Sequence, residues 1–423
     1  MGVVTDTAYA VGGVVAMPFW IPALLMRGKL RTDWLARLGL RPIPKDERPP
    51  ASGPRVLLHA VSVGEVNAIR LLVDQLASAP LHARVTVSTT TDTGFARARA
   101  LFGDRHRVVR FPIDFSWAVR RVLQAVSPDL VLLAELELWP NFLRECTARG
   151  IPVAVVNGRL SQRSFARSLR ARPLLRGMFA SLARVSAQDA SYADRFVAMG
   201  TPRDRVFVGG TMKWDTASPD ECVQGTEEFA REMGIDRTRA LVVAGSTAQG
   251  EEALIARACP EGTQLLCAPR KPEWFDAAAE AMGPCVRRSS GAAAQSANAN
   301  RFLLDTIGEL RKAYSLADLV VIGRSFGNLH GSDMMEPAAL GKAVVVGPRI
   351  GDFAATAAVL LEADAMVQTT SEKLRETLHA LMQDPERRRL LGERARSVLR
   401  REQGATARNA AMACELLERQ AKS

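Results

Sequence analysis

Short apolar runs alternate with amphipathic stretches along most of the chain. RVLLHA at 55–60, the run at 85–88, LVLLA at 130–134 and IPVAVV at 151–156 are such runs. Each is followed by a turn and a stretch with apolar residues three or four apart, read as helices from Asn67, from Thr93 and over Asn141 to Arg149. A second series begins beyond a polar stretch near 215–237, with strands expected at 240–244, 264–268, 319–322 and 343–346. Apolar strands alternating with helices predict a parallel sheet covered on both faces. Two such series predict an α/β chain of two Rossmann-like domains facing a cleft, with chemistry in the loops after the strands.

The regions outside this rhythm are distinctive. Thr7 to Met26 is a twenty-residue run without a charged residue, followed by Arg27, Lys29, Arg31 and Arg37. Its length suits a bilayer core, although Pro18 and Pro22 oppose a straight span, so it is expected to cross or lie on a membrane. The positive flank places the body of the protein on the cytoplasmic side of an inner membrane. RPIPKDERPPASGP at 41–54 reads as a linker, and the low-complexity stretch 287–300 as a mobile loop. Residues 384–423, dense in Arg and Glu, read as a solvated terminal helix. The expected domains are an anchor and linker over 1–50, a first domain over 51–217 and a second over 218–423 that includes that helix.

Length and charge agree with this plan. A chain of 423 residues exceeds one ordinary core. Six scattered cysteines with no CxxC pair fit neither a disulfide framework nor a zinc site. The net charge of +11 favours an anionic partner. From Arg159 to Arg184 there are seven arginines and no acidic residue, as expected of a face turned to anionic lipid or phosphate. Nucleic acid is ranked below these, because aromatic residues are few and no nucleic-acid motif is present.

Four loops could carry chemistry. In HAVSVGEV (59–66), Ser62 and Gly64 precede Glu65; Gly64 would allow a tight turn, and Glu65 could act as a general base or merely complement a helix dipole. In AGSTAQGEE (244–252), Gly245, Ser246 and Thr247 open a helix whose N–H groups could hold a phosphate, or serve as an ordinary cap. In APRKPEW (268–274), Arg270 could make a bidentate contact with phosphate and Lys271 could add a point charge; a solvated basic loop is the alternative. In IGRSFGNLHGSDMMEPAALGK (322–342), Gly323 and Ser325 lie in a loose loop and Glu336 could bond ribose hydroxyls.

Taken in order, these motifs resemble the family of bacterial transferases of 3-deoxy-manno-octulosonic acid (Kdo). TTTDTGFARA (89–98), FPIDFSWAVRR (111–121), ELELWPN (135–141), NGRLSQRSF (157–165), GGTMKWD (209–215) and DTIGELRKAY (305–314) continue the match between HAVSVGEV and EPAALGKAVVVGP. The resemblance implies a GT-B fold with no metal and no cofactor beyond the nucleotide-sugar donor, CMP-Kdo. It implies an inverting transfer to a lipid A precursor, an anionic lipid acceptor, at the cytoplasmic membrane surface. Glu65 becomes the base. Gly245, Ser246, Thr247, Arg270, Lys271, Gly323, Ser325 and Glu336 become donor-site residues. Ser62, Gly64, Glu135, Glu137, Arg159 and Lys213 become acceptor-side or structural candidates.

The family pattern is broken at the donor site. Ala248 and Lys271 stand where the family usually has histidines, and Ser332 and Asp333 where it usually has a histidine–asparagine pair. Lys271 preserves a cation, Ala248 preserves no polar group, and Asp333 would place negative charge near an anionic donor. A different nucleotide sugar or acceptor, and a non-catalytic family member, are the competing expectations.

Overall fold

The computed structural model describes residues 5–7, 9, 11, 33–43, 53–218, 222–290 and 299–422. The chain divides into two units, Met1–Thr216 with Gln403–Ser423, and Ala217–Glu402. Each is built on a seven-stranded sheet whose strand pairs are all parallel.

The first sheet contains β1 (Arg55–His59), β2 (Arg84–Thr89), β3 (Arg107–Arg110), β4 (Leu130–Ala134), β5 (Val153–Gly158), β6 (Arg184–Ala187) and β7 (Val206–Val208), in the order 3-2-1-4-5-6-7. Successive side chains of a strand point to opposite faces. Val56 and Leu58 accordingly enter one core with Val85, Val87, Leu130 and Leu132, while Leu57 joins Val131, Leu133 and Val155 on the other side. Burial on both faces explains why these strands are runs of Val and Leu rather than alternating patterns.

The second sheet contains β8 (Leu241–Thr247), β9 (Gln264–Pro269), β10 (Val286–Arg287), β11 (Arg301–Leu303), β12 (Leu319–Ile322), β13 (Ala343–Val346) and β14 (Val367–Gln368), in the order 10-11-9-8-12-13-14. All eight expected strands are present. The six additional ones are two to four residues long, and β3 (RVVR) and β6 (RVSA) each carry too few apolar residues to stand out.

The expectation for the end of the chain needs correction. Residues 385–402 form one helix of the second unit, but Gly404, at φ 93°, breaks it, and Ala405–Ala421 is a separate helix of the first unit. Ala405, Met412, Ala413, Leu416 and Leu417 belong to the same core as Val56 and Leu58. Averaged together with the strongly charged helix 385–402 ahead of it, the apolar positions of this helix do not stand out. The Asp215 carboxylate accepts the backbone N–H of Gly404 (2.6 Å) and Thr406 (2.5 Å), supplying the negative charge a helix start favours.

No helix among the described residues is long and apolar enough to cross a membrane. Of the expected anchor at 7–26 only Thr7, Tyr9 and Val11 are described; the rest, with linker residues 44–52 and residues 291–298 of the expected loop, lies outside the described residues. Just ahead of the run, Asp6 bonds the Ser116 hydroxyl and backbone N–H and the Asn141 amide; within it, the Tyr9 hydroxyl donates to Asp114 at 2.9 Å.

Candidate functional site

In an open parallel sheet, ligands bind beyond the carboxyl ends of the strands, where the strand order reverses. The first sheet reverses between β1 and β4, and the second between β8 and β12. Of the four loops picked out from sequence, those after β1, β8 and β12 lie at these points, and the fourth follows β9, the strand beside β8; the ELELWPN motif follows β4.

In the first unit, the helix after β1 starts at Val63 rather than at Asn67, so Glu65 lies in its first turn. Ser62 caps it: its hydroxyl donates to Glu65 Oε1 at 2.8 Å, while Val61 N–H donates to Oε2 at 2.9 Å. This resembles a capping box and fixes both carboxylate oxygens while leaving each a lone pair for another donor. Gly64 is helical and is not among the residues with positive φ, so the tight turn expected of it does not form. The glycine that is sterically required is Gly94, where a Cβ would lie 2.7 Å from the Val61 carbonyl oxygen.

Glu65 lines a cavity of about 290 Å³ with Glu135, Leu136, Glu137, Arg159, Ser161 and Ser164. Sequence reading named Glu65, Glu135, Glu137 and Arg159; it missed the two serines, which lie on the NGRLSQRSF stretch it had noted. Glu135 holds φ at 57°, an uncommon conformation for a non-glycine residue and a mark of local constraint. Burial raises the Glu135 carboxyl above its usual range and the Glu65 charge adds to this, while Arg159 and Lys213 act oppositely. Burial also raises Glu137, against the pull of the Trp139 indole N–H at 3.0 Å. The pocket thus combines a fixed carboxylate, two whose pKa burial raises, and a cation.

His59, at the end of β1, supports this loop from behind. Its fully buried ring stacks 3.9 Å from Phe111, and Nδ1 lies 3.0 Å from both oxygens of Ser88. Burial lowers its pKa from 6.5 to about 3, with the Ser88 contact opposing and the Arg37 charge assisting. The unfolded chain therefore takes up a proton that the folded chain refuses. The stability involved is complete above pH 6.5 and declines as pH falls from there towards about 3. Between pH 6.5 and 5 this one group should cost about 2 kcal/mol. Urea unfolding of wild type and His59→Asn at both pH values measures it; equal acid losses in the two proteins would rule it out.

In the second unit, four of the eight expected donor residues form the frame of the site. A Cβ on Gly245 would fall 1.9 Å from the buried Tyr314 hydroxyl, and one on Gly323 would fall 2.5 Å from the Ser246 carbonyl oxygen. Thr247 is buried and its hydroxyl donates to Glu252 at 2.6 Å. Ser325 is also buried: its hydroxyl donates to the Ile322 carbonyl (2.6 Å) and accepts Gly347 N–H (2.8 Å), so it stands behind the loop. Ser246, Arg270, Lys271 and Glu336 retain solvent exposure. The Arg270 guanidinium has no ion-pair partner among the described residues, whereas Lys271 pairs with Glu273 at 3.2 Å. Burial raises the Glu336 carboxyl, Arg311 opposing and Asp333 assisting.

The departures from the family pattern have structural roles. Asp333 Oδ1 accepts Met335 N–H at 2.8 Å, satisfying the first N–H of the short helix Met335–Ala339. Ser332 is buried and its hydroxyl donates to the Ser246 carbonyl at 3.4 Å, joining the two loops. Ala248 is packed at 9% exposure.

Two parallel α/β units with polar clusters at their switch points resemble glycosyltransferases of the GT-B class. The fold is shared with a glycosyltransferase from Rickettsia africae (TM-score 0.56, 10% identity, 87% of this chain and 99% of that one). Residues 32–216 match the family model described as 3-deoxy-D-manno-octulosonic-acid transferase. The chain is 31% identical to the 3-deoxy-D-manno-octulosonic acid transferase of Haemophilus influenzae, over 85% of this chain and 86% of the relative. It is 32% identical to that of Bordetella pertussis, over 84% and 85%. The chain belongs to the 3-deoxy-D-manno-octulosonic acid (Kdo) transferase family.

Proposed function

We propose that the protein transfers Kdo from CMP-Kdo to the lipid A precursor lipid IVA, in lipopolysaccharide core synthesis. A hydroxyl of the acceptor attacks the anomeric carbon of the sugar with inversion. The carbon–oxygen bond to the nucleotide phosphate breaks, CMP leaves with the electron pair, and Glu65 takes the hydroxyl proton. The observation that carries this reading is the Glu65 carboxylate, fixed by Ser62 and Val61 yet lining a pocket. Its remaining lone pairs can accept a proton without a change of rotamer. In the second unit, Arg270 is the cation suited to the charge that develops on the departing phosphate. The reaction requires no cofactor, because the donor carries its own leaving group.

A lipid acceptor accounts for the exposed face of the first unit. The helix Gln162–Arg170 has no buried residue. With Arg172–Ala180 it displays Arg163, Arg167, Arg170 and Arg176 beside Leu169 (42% exposed) and Leu174 (85% exposed). Apolar side chains among arginines suit the headgroup region of an anionic bilayer, where each basic residue contributes about 1 kcal/mol. This face, together with the apolar run near the start of the sequence, supports a location at the cytoplasmic surface of the inner membrane.

The test is incubation of the purified protein with CMP-Kdo and tetraacylated lipid IVA, followed by mass spectrometry. Addition of one or more Kdo masses is expected. Transfer from a uridine-linked sugar but not from CMP-Kdo would replace this reading with another GT-B reaction.

A further inference from the structure

Glu251 is the first residue of the helix Glu251–Ala258, is 4% exposed, and has no ion-pair partner among the described residues. Its charge is met by backbone alone. Oε2 accepts the N–H of Ala248 (2.9 Å) and of Arg324 (2.6 Å), while Oε1 accepts those of Ser325 and Phe326 (both 2.9 Å). Ala248 follows β8, and the other three residues follow β12, the strand paired beside it. One carboxylate therefore clasps the two loops of the switch point.

Those loops need clasping. Ser246 and Arg324 both adopt left-handed backbone conformations, at φ 56° and 59°. Such turns at non-glycine residues persist only where their surroundings hold them. An acceptor bearing a full charge does so more firmly than a neutral one. The arrangement also alters the expectation for the helix start, because the Ala248 N–H is already occupied by Glu251.

We propose that Glu251 is a positioning residue for the donor: it sets the mutual placement of the 246–248 and 324–326 loops and hence the surface the nucleotide sugar meets. This rests on the assignment of the donor to the second unit. A shared hydrogen-bond network among two loops predicts a loss of donor recognition, in excess of any loss of stability.

The experiment compares full-length wild type, Glu251→Gln, Glu251→Asp and a stability control, Leu378→Ala, which trims a side chain buried in the core of the same unit. Glutamine keeps the shape of the side chain but turns an N–H₂ towards backbone donors. Hydrogen exchange followed by mass spectrometry should show the amides of 324–326 exchanging at least tenfold faster in Glu251→Gln. Donor KM and the Kd for CMP should rise at least tenfold, with acceptor KM unchanged. Aspartate should restore part of the donor affinity, and Leu378→Ala should lower Tm without moving donor KM. Unchanged exchange, or a donor defect no larger than that of the control, would overturn the proposal. Failure of wild type itself to bind CMP would instead remove the donor assignment, and that arm is scored before any variant.

Discussion

Glu65→Gln is expected to lower kcat for Kdo transfer by about 10³-fold while leaving folding and donor KM nearly intact. The local geometry makes this variant informative. A glutamine turned with its oxygen towards Val61 N–H and its nitrogen towards Ser62 Oγ retains both contacts that fix the present carboxylate. The cap, the helix start and the pocket wall then survive, and what is lost is the capacity to accept a proton. The change in Tm should stay within a few degrees. Glu65→Asp keeps the charge but withdraws it by one methylene, so it should fall between the two. Retention of more than a tenth of wild-type kcat by the glutamine variant would remove Glu65 from the reaction. Equal falls in activity and melting temperature would assign it to the helix cap alone.

The second large effect concerns the end of the chain. A protein stopped after Glu402 lacks the helix Ala405–Ala421 and with it Met412, Leu416 and Leu417 from the core of the first unit. Burial of three such side chains contributes about 5–9 kcal/mol. Global stabilities of domains are about 5–15 kcal/mol, so the loss is comparable to the whole. It also leaves one face of β4 and β5 without the helix that packs on it. The shortened protein should enter the insoluble fraction, whereas one stopped after Glu418 keeps the three core residues and should remain soluble. Comparison of soluble yield and circular dichroism for the two truncations checks this. A soluble, cooperatively melting protein ending at Glu402 would contradict the assignment of the helix to the first core.

The parts of the fold that were legible in the sequence are those decided by local chemistry. β1, β4 and β8 are long apolar runs because both faces are covered, and a run of that kind cannot be mistaken for a surface segment. β3 and β14 are short and near sheet edges, and their apolar content is too small to rise above their neighbours. The site followed the same division. Glu65 was noticeable as a carboxylate in the loop after a buried strand, whereas Glu135, Glu137 and Arg159 came only with the family resemblance; all four line one cavity. Ser161 and Ser164 were not recognised, since a serine ahead of a helix is usually only its cap, and Ser161 is indeed that. Ser325 failed in the opposite sense: it was taken for a donor contact, but its hydroxyl is consumed in joining the β12 loop to Gly347. Glu251 lay within a quoted motif and still passed unnoticed, because three of its four partners are backbone groups more than seventy residues away.

The return of the final helix to the first unit has a consequence for synthesis. Residues 217–402 must all emerge from the ribosome before the last segment of that unit is available. At ordinary elongation rates this interval is roughly 10–40 s. Throughout it the amino-terminal half exposes an apolar sheet face. The half that is made first is thus the half that is finished last, and the nascent chain rather than the mature enzyme is the form most exposed to aggregation.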